Sequence, residues 1–255
     1  MPDVATCERV LAVSVGERSG DACDVVRSRR CARRAALSIG VFAASSASAQ
    51  VAFDVSVASD NDFRGNSLSD RTAVVAVSAA FDHPDGWFAG GLVSEARFRS
   101  DDRNTPQLVT DAGYAHRLSS GLSWEAGATA TFFPNASIYN YAEVFAGLAA
   151  DTWSARLYLS PDYYGQNFRS EYLEFNVTHP LGERLRLTGH VGVQHGDAAV
   201  HYASTTTFDV RFGVGAQFGF GQVQLDWVQT NRVGYLEPVS GRDRHRWIVS
   251  VTHAF

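Results

Sequence analysis

The charged residues of this 255-residue chain fall largely at every second position of apolar segments. Glu125 sits between Trp124 and Ala126, Glu143 between Ala142 and Val144, and Arg211 between Val210 and Phe212. Charge at alternate positions marks one face of a β-strand, because successive side chains point to opposite sides of the sheet. The candidate functional set on that face is Glu95, Asp111, Glu125, Glu143, Arg156, Glu174, Arg186, Asp209, Arg211, Asp226 and Arg246. An arginine row facing a carboxylate row makes a transverse field. Such a field orients a hydrated solute without making or breaking a bond. The competing reading is a closed network of ion pairs that fills the interior.

Bond-making chemistry has less to work with. Cys7, Cys23 and Cys31 all precede position 50, so no disulfide, thiolate metal site or cysteine nucleophile is expected beyond it. His83, His116, His179 and His253 fall on the apolar face near strand ends. Around a closed sheet they diverge, as interfacial residues do, whereas metal ligands must converge. His195, His201 and His245 lie on or near loops, and His190 falls on the polar face, where it would tune charge at mildly acidic pH. Ser250 and His190 share the polar face, and Thr252 and His253 are adjacent and so point oppositely. No nucleophile, base and orienting acid meet on the apolar face. The expectation is therefore no enzyme, no catalytic residue, no metal and no cofactor. Lysine is absent, and residues 50–255 carry 15 arginines against 22 acids, a net charge of −7 that argues against a nucleic-acid partner.

The elements that position these residues are strands. Two-residue alternation predicts them at about 51–58, 72–82, 87–97, 108–117, 122–132, 141–149, 153–161, 170–179, 185–195, 206–217, 222–231 and 244–255. Twelve is an even number, as single-chain bacterial barrels have. Connections alternate in length. Tight turns at 83–86, 118–121, 150–152, 180–184 and 219–221 follow even strands, and longer polar loops at 59–71, 98–107, 133–140, 162–169, 196–205 and 232–243 follow odd ones. Short turns belong to the periplasmic side and long loops to the outside, which puts both ends of the barrel in the periplasm. Trp87, Trp124 and Trp153 sit just after short turns, whereas Phe133, Tyr139, Tyr163, Tyr164, Tyr202 and Tyr235 lie near the other end, as two interfacial girdles require. The last strand ends in Phe255, with Trp247, Val249 and Val251 on the same apolar face. That is the form of a barrel assembly signal.

The N-terminus predicts export. Arg27, Arg29, Arg30, Arg33 and Arg34 precede the apolar stretch 35–44, and Ala47-Ser48-Ala49 is a small-x-small cleavage pattern. Residues 25–49 read as a signal peptide cut before Gln50, residues 1–24 as an over-long start or extension, and residues 50–255 as the barrel.

Ser59-Asp60-Asn61-Asp62-Phe63-Arg64-Gly65-Asn66-Ser67-Leu68-Ser69-Asp70 resembles the opening signature, S-D-Y-x-F-R-G-x-S-Q-S, of a proteobacterial family called TorF or Gcw_chp, regarded as outer-membrane porins. Asn61 and Leu68 depart from it. Further similarities follow in order at 86–90, 111–114, 133–134, 143–147, 160–163 and 189–192, so the resemblance covers about 51–255. Within the first motif, Asp60, Phe63, Arg64 and Gly65 are the candidate residues. Arg64 either reaches into the lumen to bind an anion, or pairs with Asp60, Asp62 or Asp70 beside a positive-φ turn at Gly65, and the second reading is preferred.

The expected fold is an all-β, transmembrane, antiparallel up-and-down barrel of about twelve strands. Twelve strands at ~4.8 Å spacing and ~40° tilt enclose a backbone diameter of about 24 Å, and side chains reduce the bore to ~10 Å or less. The expected function is passive diffusion of small hydrophilic solutes through a narrow charged lumen in a Gram-negative outer membrane. Outer-membrane lipid, lipopolysaccharide and the barrel-assembly machinery are the expected partners. The alternative is a non-conducting structural or adhesive barrel, with a lipid-modifying barrel enzyme third.

Overall fold

The structure, a computed structural model, describes residues 50–98, 103–196, 206–231 and 245–255. The leader and extension expected at 1–49, and the loop residues His201, Tyr202 and Tyr235, lie outside the described residues.

The chain forms β1 (Gln50–Ala58), the short pair β2 (Asp62–Phe63) and β3 (Asn66–Ser67), then β4 (Val74–Asp82), β5 (Trp87–Phe98), β6 (Arg103–Arg117) and β7 (Ser123–Phe132). β8 (Tyr141–Ala149), β9 (Trp153–Ser160), β10 (Ser170–Leu181), β11 (Leu185–Gly196), β12 (Thr206–Phe218), β13 (Gly221–Thr230) and β14 (His245–Ala254) complete it. Twelve of these close into one antiparallel barrel in chain order, with β2 and β3 standing apart as a hairpin. Closure is made by β1 against β14, from Asp54↔Ala254 to Ala58↔Ser250. All twelve expected strands are present. β6 begins at Arg103 rather than near 108, so the β5–β6 hairpin runs longer than its polar sequence predicts.

The two faces are inverted relative to a water-soluble barrel. On β12, Phe208, Phe212 and Val214 point out and are 39%, 58% and 47% exposed, whereas Asp209 and Arg211 point in and are buried. The same alternation runs through β14, where Trp247, Val249 and Val251 face out and Arg246 and Ile248 face in. Leaving each large apolar side chain in water forgoes about 1.5–3 kcal/mol, so this outer surface requires hydrocarbon. Rings collect where the short turns lie: Trp87 packs edge-on to Tyr114 at 5.2 Å, Tyr114 lies 5.8 Å from Trp124, and Trp153 stacks on Phe175 at 6.0 Å. Phe255 is 78% exposed, and its N–H donates to Phe53 O at 2.9 Å, tying the end of the chain to β1.

Candidate functional site

The loop after β1 does not leave the barrel. Residues 60–69 turn inward and lie inside it, and Asp60, Asn61, Asp62, Phe63, Arg64, Ser67, Leu68 and Ser69 are all buried. The segment carries its own turn: β2 pairs with β3 through Asp62↔Ser67 and Phe63↔Asn66, with Arg64 at φ 49° and Gly65 at φ 77° between them. Glycine is needed at 65 for a second reason. A Cβ there would lie 2.7 Å from Asp209 Cβ and 2.8 Å from Thr230 Cβ, so the loop tip is pressed against β12 and β13. The Asp60 carboxylate accepts hydrogen bonds from Ser67 Oγ at 2.6 Å and Ser69 Oγ at 2.9 Å, which stiffens the segment.

Charge pairs hold the loop to the wall. Arg64 donates from Nη1 and Nη2 to the two oxygens of Glu143 at 2.9 and 2.7 Å, a bidentate pair across the lumen to β8. Its guanidinium carbon lies 4.1 Å from the Tyr172 ring centre and 5.0 Å from that of Tyr158. Burial acts to lower the pKa of the Arg64 guanidinium, but the Glu143 carboxylate beside it, with Tyr163 and Tyr141, holds it well above its ordinary value. Asp62 pairs with both Arg211 and Arg246. Arg246 also donates from Nη1 to Gly65 O at 3.1 Å, and its Nε lies 2.8 Å from Asp60 Oδ2, an ion pair without the angle of a linear hydrogen bond. The preferred expectation for Arg64 is thus corrected: it pairs with Glu143 and not with Asp60, Asp62 or Asp70, because the wall carboxylate faces it while Asp60 and Asp62 face Arg246, and Asp62 also Arg211.

Below the loop the interior carries a second network. Arg156 donates to Glu125 from Nε and Nη2 at 2.5 and 3.1 Å, and from Nη1 to Tyr158 Oη at 3.3 Å; that hydroxyl donates to Glu174 at 3.3 Å. Across the lumen, His190 Nε2 lies 2.7 Å from Asp209 Oδ2 and its Nδ1 2.6 Å from Asn176 Oδ1. Gln224 donates to Asp226 and to Thr188 Oγ1, both at 2.9 Å. Asp111 points in and is buried, and Arg186 lies across Gly215 on the inner wall. Large inward side chains fold against the wall: a Cβ on Gly113 would lie 2.6 Å from Phe88 Cζ, and one on Gly127 2.7 Å from Phe145 Cζ.

Glu95 is the exception among the lumen candidates. It is exposed and faces outward, because it shares the two-residue phase of Trp87 and Val93, which also face out. The residues that alternation alone missed are Asn61 and Asp62, which become lumen groups when the loop folds inward. Toward the short turns the interior is looser. Asp54, Ser123, Asn176, Thr178, Ser250 and Thr252 are half-buried around a polar vestibule. Among the described residues no group of three or more His, Cys, Asp or Glu is arranged to hold a metal ion.

An apolar exterior, a charged interior and a loop folded into the bore define a closed twelve-stranded β-barrel of the membrane-spanning kind. The chain belongs to the Gcw_chp family, a bacterial protein family of unknown function, which matches residues 42–255. No curated protein matches the chain. Among solved structures, the KdgM porin is similar at TM-score 0.52 and 12% identity, over 80% of this chain and 99% of that one. The NanC porin is similar at TM-score 0.56 and 10% identity, over 80% and 98%. At that identity the likeness is one of fold.

Proposed function

We propose that this protein is a porin of the Gram-negative outer membrane, passing small hydrophilic solutes by diffusion, with the loop at 60–69 as its constriction. The observation that carries the reading is the attachment of that loop. A polar vestibule ends on a segment that joins no strand ladder of the wall and is held by side-chain ion pairs to Glu143, Arg211 and Arg246, by hydrogen bonds of Asn61 and Leu68 to β5 and of Asn61 to Gln107, and by apolar packing of Phe63 and Leu68. Because β2 and β3 form a sheet separate from the barrel, a change in the loop need not break the barrel's own strand pairing. In this reading the short turns and both ends of the barrel are periplasmic, export uses the 25–49 leader, and Trp247, Val249, Val251 and Phe255 are read by the assembly machinery. No catalysis and no cofactor are part of it.

The test is single-channel recording of residues 50–255 refolded into planar bilayers. The reading expects small discrete conductance steps that grow when the loop pairs are removed. A second reading, the non-conducting structural barrel, draws on the burial of Asp60, Asp62, Arg64 and their wall partners. Silence in both the parent protein and a loop-pair variant would establish that reading instead.

A further inference from the structure

Arg64 sits in a site that the wall builds without it. The carboxylate of that site is Glu143 on β8, 3% exposed, which takes both terminal nitrogens of the guanidinium. Its rings are Tyr158 on β9, Tyr172 on β10 and Tyr163 between those strands, whose centres lie 5.0, 4.1 and 5.6 Å from the guanidinium carbon. A carboxylate fork among aromatic faces selects a guanidinium over a compact ammonium. The fork matches two N–H groups, and the rings favour a planar, weakly hydrated cation. The loop supplies only the occupant.

Two features show that Arg64 does not exhaust this site. Its tether leaves polar groups unmatched. Arg64 Nε has no hydrogen-bond partner among the described residues, and neither has the buried hydroxyl of Tyr163 or of Tyr141, whose rings lie 4.9 Å apart. A guanidinium free of the loop backbone can turn a further N–H toward a phenol oxygen. The wall also holds a carboxylate in excess. Arg156 is taken by Glu125 in its own two-point pair, as Arg64 is by Glu143. Glu174 is 2% exposed, and among the described residues its hydrogen bond comes from the Tyr158 hydroxyl alone, at 3.3 Å. A carboxylate so deep, met by a neutral donor, favours the approach of a further cation.

We infer that the Glu143 site binds solutes bearing a guanidinium group, with Arg64 as the resting occupant that such a solute replaces. The inference rests on the porin reading for the route by which a solute reaches the loop. Exchange breaks no strand pairing of the wall, since β2 and β3 form a sheet of their own. The tether gives Arg64 an effective concentration on the order of millimolar or above, so a free solute competes in that range.

The probe is n-propylguanidinium, which is the Arg64 side chain cut from its Cα. Binding to the folded barrel in detergent is titrated by saturation-transfer NMR at constant ionic strength, with n-propylammonium as the competing cation. Arg64→Gly vacates the site and keeps the turn, because glycine accepts φ 49° without strain. The parent protein should bind n-propylguanidinium in the millimolar range, and Arg64→Gly about tenfold more tightly, since nothing tethered competes. The ammonium should bind about tenfold more weakly than the guanidinium in both, lacking the second parallel hydrogen bond. Glu143→Gln, or Tyr172→Leu if the first does not fold, should remove binding. Folding of each variant is read from its heat-modifiable migration on a gel. Equal affinity for the two cations, or undiminished binding in folded Glu143→Gln, overturns the inference. So does an absence of saturable binding to the parent protein, even where Arg64→Gly binds, because Arg64 would then be a fixed plug. Conductance is not the readout: a silent barrel that binds the probe as expected would sink the porin reading and leave the site standing.

Discussion

Arg64 is the residue on which the interior turns. It donates from both terminal nitrogens, Nη1 and Nη2, to Glu143 and lies against Tyr172, Tyr158 and Phe63, with 3% exposure on each partner of the pair. Removing one member of a buried pair strands the other charge at a cost of about 3–5 kcal/mol, whereas replacing both with apolar groups is close to neutral. Arg64→Met alone and Glu143→Leu alone should therefore each lower the unfolding free energy of the refolded barrel, read from urea titration, by that amount, and the double variant should recover most of the loss. Equal, additive losses in the cycle would show that the two side chains are not coupled. Gly65 gives a second test at this scale. Alanine there meets both a positive φ and a 2.7 Å approach to Asp209 Cβ. Gly65→Ala should destabilise by about 1–3 kcal/mol on the same urea scale. An unchanged midpoint would mean that the loop tip is not pressed against β12.

At the scale of the strand, adjacent positions meet different solvents. Val249 points out and is 47% exposed, while Ser250, its neighbour on β14, points in and is half-buried. Val249→Arg places a charge in hydrocarbon at about 2–4 kcal/mol near mid-depth, whereas Ser250→Arg places it in the polar vestibule. Heat-modifiable barrel should fall sharply for the first and persist for the second; the reverse ranking would put the wrong face outward. This is also where the sequence is most informative. The period of two is local, so the strands, the closure and the outward face of β12 and β14 can be read from residue order alone. Glu95 was legible by the same count, since eight residues separate it from Trp87 and an even separation keeps the face. The inward loop was not legible. Arg64 meets Glu143 79 positions away and Asp62 meets Arg246 184 positions away, and nothing in Asp60–Gly65 tells a turn that leaves the barrel from one that enters it. Only closure brings Glu143, Arg211 and Arg246 to one level, where they can draw the loop inside.

For the whole molecule, the same arginines are both the fastening of the loop and part of the field a solute would cross. Arg211 and Arg246 hold Asp62, and Arg246 also reaches Asp60 and Gly65. In a channel lined only by independent charges, Arg211→Ser with Arg246→Ser would change selectivity and leave conductance nearly constant. Here the double change does two things at once. It removes two positive charges from the level of the folded-in loop, where low dielectric makes one or two charges count. It also leaves Asp60 and Asp62 without their wall partners and frees the loop from β12 and β14. The barrel itself should persist, because strand pairing through β12, β13 and β14 involves backbone groups and both side chains face the interior. Reversal potential in a salt gradient should move toward cations, and single-channel conductance should rise several-fold over the parent protein. A shift in selectivity at constant conductance would show a lumen that is already open past a fixed loop. A rise in conductance with an unmoved reversal potential would show that solutes pass elsewhere than beside Arg211 and Arg246.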